Sequence, residues 1–307
     1  LRVKITLVYI FILIGVLSCR ENTIPKPKPL FEIQSSEITN VTFKNTIKET
    51  VGRNGLLYEY YYNGGGVAVA DFNNDNLPDL YFISNIESNK MYLNKGDFIF
   101  QDITKKAQIE DLGGFPTGVT CMDINNDGWM DIYISKSGRY KNPDKRRNTL
   151  FINMAVGEGK VPLFKEASAT YGLDIPAYST QASFFDYDLD GDLDMFLINH
   201  DVYNYEEDQI PVYLKEKSEF IGNQLYRNEE DFFVNVSEKA GIITNRLGFG
   251  LGLGISDINL DGWPDIYVST DYYGKDHLYI NNQNGTFTEK INELTGHISF
   301  FSMGNDI

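Results

Sequence analysis

Four nonapeptides of one pattern, D-x-[DN]-x-D-[GN]-x-x-D, recur along this chain. They read DFNNDNLPD at 71–79, DINNDGWMD at 123–131, DYDLDGDLD at 186–194 and DINLDGWPD at 257–265. Their first aspartates lie 52, 63 and 71 residues apart. A cluster of hard oxygen atoms returning once per such interval constrains the fold twice. The structural unit must itself repeat, and the gathered carboxylates need a counter-charge.

The flanks of each nonapeptide repeat with it. Before it stands a run of small or apolar residues: 66–70 GVAVA, 118–122 GVTCM, 181–185 QASFF and 251–255 LGLGI. After it comes an apolar run without alternation: 80–83 LYFI, 132–134 IYI, 195–198 MFLI and 266–268 IYV, as expected of a strand covered on both faces. A third segment follows at 90–94 KMYLN, 149–153 TLFIN, 224–228 QLYRN and 277–281 HLYIN. A fourth begins at Phe100, Phe164, Phe233 and Phe287. Four short strands per unit, with the acidic loop joining the first two, describe the blade of an all-β propeller. Small residues in the first strand suit the crowded position nearest the axis. The chain holds four full blades, and its last residues read as the run-in to a fifth.

Calcium takes about six to eight oxygens at roughly 2.3–2.6 Å in a forgiving geometry. In a tight loop the side chains at positions 1, 3, 5 and 9 and the carbonyl at position 7 can converge on one ion. The candidate ligands are Asp71, Asn73, Asp75, Leu77 and Asp79; Asp123, Asn125, Asp127, Trp129 and Asp131; Asp186, Asp188, Asp190, Asp192 and Asp194; and Asp257, Asn259, Asp261, Trp263 and Asp265. Gly128, Gly191 and Gly262 at position 6 permit a positive φ, and Asn76 is the next best tolerated residue there. An EF-hand would need a glutamate at position 12 and flanking helices, but position 12 is Phe82, Ile134, Leu197 or Val268. Metal-free turns would leave three to five carboxylates repelling one another. One Ca²⁺ per loop, four in all, is therefore expected.

The repeat resembles the FG-GAP/VCBS family, whose calcium-loop blades also build integrin α-subunit propellers. The stretch Tyr62-Asn-Gly-Gly-Gly-Val-Ala-Val-Ala-Asp-Phe-Asn-Asn-Asp is similar to large bacterial VCBS-repeat lipoproteins related to cartilage acidic protein. The resemblance covers roughly residues 38–307 and implies a seven-bladed ring in a longer protein.

The formal net charge is -16, and fourteen of the acidic residues are aspartates of the four loops. Four bound ions would bring the net charge to about -8. Such a chain lacks the clustered Lys and Arg that a phosphate backbone requires, so no nucleic-acid partner is expected. The one basic run, Lys141 to Arg147, reads as a solvated loop.

At the N-terminus Arg2 and Lys4 precede an apolar run from Ile5 to Leu17, too short to span a bilayer. It ends in Val16-Leu17-Ser18-Cys19, which resembles a bacterial lipobox with Cys19 as the acylated residue. Residues 1–18 are read as a lipoprotein signal peptide, 19–37 as a polar, proline-rich tether, and 38–307 as the propeller. An exported outer-membrane lipoprotein follows, facing the periplasm or the cell surface and anchored through Cys19. The other cysteine, Cys121, sits in an apolar strand and reads as a small core side chain.

A binding module for a protein or glycan is the functional expectation, and the insertion from His200 to Gly222, rich in tyrosine and charge, is either a recognition surface or a solvated loop that packs locally. The competing class is a carbohydrate-active lyase or hydrolase built on a propeller. Only His200, His277 and His297 are available as histidine bases, and none lies in a nucleophile motif. No catalytic residue is assigned.

Overall fold

Each acidic nonapeptide is the connection of a β-hairpin, and its ninth residue pairs with the residue just before its first. The partners are Ala70 and Asp79, Met122 and Asp131, Phe185 and Asp194, and Ser256 and Asp265. The computed structural model describes residues 29–307, apart from 112, 204, 205 and 300. The expected signal peptide and Cys19 lie outside the described residues. The chain divides into two units, Leu1–Ser35 and Ser36–Ile307. In the first, the described residues are exposed and without regular structure.

The second unit holds four antiparallel four-stranded sheets, each a meander in sequence order. The first blade is β1 (Val67–Ala70), β2 (Asp79–Phe82), β3 (Lys90–Asn94) and β4 (Phe100–Asp102). The second is β5 (Pro116–Met122), β6 (Asp131–Lys136), β7 (Thr149–Asn153) and β8 (Phe164–Glu166). The third is β9 (Ser179–Phe185), β10 (Asp194–Asn199), β11 (Gln224–Glu229) and β12 (Phe232–Asn235). The fourth is β13 (Gly250–Ser256), β14 (Asp265–Thr270), β15 (His277–Asn281) and β16 (Phe287–Glu289). This is the expected all-β propeller blade order.

The uninterrupted apolar second strands have a direct cause. A strand's side chains alternate between faces, and both faces here are packed. In β6, Ile132 and Ile134 join a cluster with Ala68, Tyr81 and Ile83 of the first blade, while Tyr133 faces Met195 and Leu197 of the third. In β10, Met195 and Leu197 point back to the second blade while Phe196 and Ile198 pack with Ile266 and Val268 of the fourth. The cores therefore lie between blades, and each such side chain contributes about 1.5–3 kcal/mol by burial. Small residues in the first strands allow adjacent blades to touch. A Cβ on Gly118 would come within 2.5 Å of the Thr180 carbonyl oxygen.

The segment expected to begin a fifth blade forms no strand among the described residues. It nonetheless runs beside β13, where a Cβ on Gly252 would meet the Gly304 Cα at 2.8 Å. The Asn305 side chain donates to Ser269 Oγ at 3.0 Å.

One local expectation needs correction. The basic run is not simply solvated, because Arg146 is buried, lies 4.1 Å over the Tyr178 ring and donates to the Pro176 carbonyl. Its neighbour Arg147 pairs with Asp144 and Asp174. The 200–222 insertion turns through a 3-10 segment (Glu207–Gln209) and helix α1 (Ile210–Tyr213). It packs Tyr203 and Tyr213 against the fold, with Arg139 over the Tyr203 ring and Arg246 over that of Tyr213. Cys121 is free and half-buried against the first interblade core, and burial pushes its thiol up to about 12.

Candidate functional site

The four acidic loops close in the same way. The position 1 carboxylate accepts from the backbone N–H groups of positions 5 and 6. Asp71 takes Asp75 and Asn76, Asp123 takes Asp127 and Gly128, Asp186 takes Asp190 and Gly191, and Asp257 takes Asp261 and Gly262, all at 2.6–3.1 Å. Position 5 then accepts from the N–H of position 7, as Asp127 does from Trp129 at 2.9 Å. Position 6 has the expected positive φ, from 67° at Asn76 to 102° at Gly191. Position 4 is left-handed as well, at Asn74, Asn126, Leu189 and Leu260. That second reversal was not read from the sequence, because leucine does not advertise it.

Position 9 does two jobs. Asp79, Asp131, Asp194 and Asp265 are fully buried. One oxygen of each accepts from the N–H of position 2, and the other from the N–H of an asparagine in the third strand, Asn94, Asn153, Asn228 or Asn281. Burial raises the carboxyl groups of Asp79 and Asp131 to about 7 and that of Asp194 to about 8, against the lowering effect of the backbone donors. Burial thus favours the neutral form of these groups more than in a free carboxylate, and a bound cation would reverse that.

The third loop brings three carboxylates together. Ligand atoms of Asp186, Asp188 and Asp194 all lie within 4.8 Å of one another. Buried Asp188 Oδ1 and Asp192 Oδ1 have no hydrogen-bond partner. Burial and the neighbouring carboxylates push Asp188 up and raise Asp192 to about 6. Unpartnered buried oxygens, carboxylates in mutual repulsion and an all-oxygen donor set suit a hard divalent cation. In the first loop Asn73 Oδ1 is likewise buried and unpartnered. There, and in the second and fourth loops, the position 3 amide donates to the position 5 carboxylate at 2.9–3.0 Å. Asp190, expected as a ligand, accepts from Asp192 N at 3.2 Å.

A second constellation lies beyond the opposite ends of the second strands. Six residues past the final aspartate of each nonapeptide stand Asn85, Ser137, His200 and Asp271, all buried. A 3-10 turn at Glu59–Tyr62 lies against them. His200 Nε2 is 2.6 Å from Ser137 Oγ and 3.1 Å from the Tyr58 hydroxyl. The Tyr60 ring stacks on the imidazole with centroids 4.8 Å apart, and its hydroxyl donates to Asp271 Oδ2 at 3.1 Å. Burial alone lowers His200 to about 3, so it stays neutral. His200 Nδ1 has no partner. Sequence reading missed this ring because its members are where the repeats differ. The available signal was the constant offset from the acidic loop.

Comparison with known proteins agrees with the blades. The FG-GAP-like repeat family matches residues 71–134 and 257–304. Cartilage acidic protein 1 of Xenopus tropicalis is 30% identical over 139 residues, which are 45% of this chain and 20% of that protein. The Homo sapiens protein of the same name is 27% identical over a stretch of the same extent. The match thus spans about a fifth of the curated relatives' length. Among solved structures, a lectin of Agrocybe aegerita, described as recognising non-reducing terminal N-acetylglucosamine, is similar at 14% identity. The similarity covers 73% of this chain and 65% of that one, with a TM-score of 0.30. The chain carries FG-GAP-like repeats and is distantly homologous to cartilage acidic protein.

Proposed function

We propose that this chain is a calcium-stabilised propeller, held at a membrane by lipid on Cys19, that serves as a binding module for a protein or glycan. The observation that carries the calcium reading is the third loop, where three carboxylates converge beside buried oxygens that lack partners. Asp186, Asp188 and Asp194 would hold the ion there, and the corresponding residues of the other loops would hold one each. A bound divalent cation would neutralise carboxylates that otherwise oppose the hairpin turn.

Binding is favoured over catalysis by the state of the histidine in the axial ring. A group brought to about 3 by burial is too weak a base for proton abstraction near neutral pH. The lipobox-like sequence around Cys19 supports export to the outer membrane. The test is calorimetric titration of the chelator-stripped chain with Ca²⁺, paired with thermal melts. Saturable binding and a clear rise in melting temperature are expected. A melt indifferent to both calcium and chelator would sink the calcium reading.

A further inference from the structure

A cavity of about 450 Å³ lies among the inner strands of all four blades, against the Tyr58–Tyr60 turn. Its volume falls within the range of small-ligand sites, about 300–1,000 Å³. Tyr58, Tyr60, Thr117, Thr180, Gln181 and His200 supply its aromatic and hydrogen-bonding lining. Among the described residues, no lysine, arginine, aspartate or glutamate lines it.

We propose that this cavity is a binding site for a neutral, polyhydroxylated ligand the size of a monosaccharide. This rests on the binding-module reading and specifies where and what it binds.

The polar groups argue for hydroxyls. His200 is 1% exposed, and its Nδ1 has no partner although the ring lines the cavity. With Nε2 accepting from Ser137 or Tyr58, Nδ1 carries a proton and needs an acceptor. In the other tautomer Nδ1 is bare and needs a donor. A hydroxyl satisfies either state, whereas a carbonyl or an ammonium satisfies only one. The hydroxyls of Thr117 and Thr180 already donate to the Ser179 and Gly250 carbonyls at 2.7 Å, so they face a ligand as acceptors. Sugar hydroxyls supply the matching donors. Gln181, exposed at the same wall, both donates and accepts.

Charge and shape narrow the class. With no ionic side chain in the wall, a charged ligand would lose hydration without a countercharge. Val67, Leu251 and Met303 add apolar lining for the C–H face of a pyranose. Asn63, Val67 and Gln181 are exposed, so the cavity communicates with solvent.

The experiment is ligand-observed saturation-transfer NMR on the calcium-saturated chain, with D-glucose, D-galactose and D-mannose as probes and D-glucuronate as the charged comparator. At least one neutral sugar is expected to show contact with millimolar affinity, and glucuronate none. Val67→Trp fills the cavity from a half-exposed strand position, and His200→Phe keeps the aromatic stack while removing both nitrogens. Each is expected to weaken the sugar at least about tenfold. The Val67→Trp melting temperature should be unchanged, which separates a blocked site from a failed fold. No contact with any neutral sugar, or undiminished binding in Val67→Trp, overturns the proposal. Calcium-dependent melting without sugar contact would overturn the sugar site and leave the calcium reading standing.

Discussion

Asn153, the last residue of β7, donates its side-chain amide to the carbonyl of Phe72 in the acidic loop of the preceding blade, at 2.9 Å. Asn281 repeats the bond between the third and fourth blades, reaching the Tyr187 carbonyl at 2.8 Å. Both also donate within their own blade, to Met130 and Pro264. Their backbone N–H groups meet the buried position 9 aspartates Asp131 and Asp265. The asparagine thus links loop closure within a blade to docking between blades.

Replacing Asn153 with alanine should therefore leave a buried carbonyl without its donor. A loss of about 1–3 kcal/mol is expected, read as a lower denaturation midpoint. Calcium stoichiometry should not change, since Asn153 is not a ligand. A midpoint equal to wild type would show that the clip adds nothing to blade docking.

Asp188→Ala should remove one calcium from the stoichiometry and narrow the gap between calcium-bound and chelated melting temperatures. With calcium at a hundred times its dissociation constant, one site adds about 2.7 kcal/mol. Unchanged stoichiometry would mean that the third loop is not a site.

Calcium binding should release protons near neutral pH. The carboxyls of Asp79, Asp131 and Asp194, ordinarily at 3.8, are raised by burial to about 7, 7 and 8. Between those limits the folded, metal-free chain holds protons that the unfolded chain has lost. Their contribution to metal-free stability is complete below 3.8 and is lost as pH rises through 7 to 8. Calcium competes for the same oxygens, so its affinity should climb over that interval. Titrations in buffers of different ionisation enthalpy measure the protons released, and a pH-independent affinity would contradict the assignment.

Acid should act in the opposite sense through histidine. Burial lowers His200 from 6.5 to about 3 and His277 to about 4. Above 6.5 both are neutral in either state, and their contribution is fully present. As pH falls below 6.5 the unfolded chain takes up protons that the folded chain refuses, and stability declines toward pH 3. His200→Phe should flatten this decline in the calcium-saturated chain. An identical slope would show that His200 is accessible to protonation in the folded state.

If Cys19 is the acylated residue proposed above, Cys19→Ser should release the chain from membranes into the soluble fraction, since acylation requires the thiol. Continued sedimentation with membranes would count against the lipid anchor.

What could be read from the sequence was what short segments decide. Each acidic loop closes through bonds spanning at most seven residues, from Asp71 to Asn76 and from Asp79 back to Phe72. Its chemistry is therefore written in nine consecutive letters. The four strands and their in-phase recurrence follow from local apolar runs, and the double-faced second strand announced packing on both sides. Tertiary structure alone decided which residues meet across blades. Ser137 and His200 lie 63 residues apart, Tyr60 and Asp271 lie 211 apart, and Asn153 finds Phe72 across 81. Radial packing of repeated blades carries one offset position from every unit to the same end of the axis. Repetition therefore reveals the scaffold directly, while the axial ring, made of residues that differ between repeats, becomes visible only once the blades are assembled.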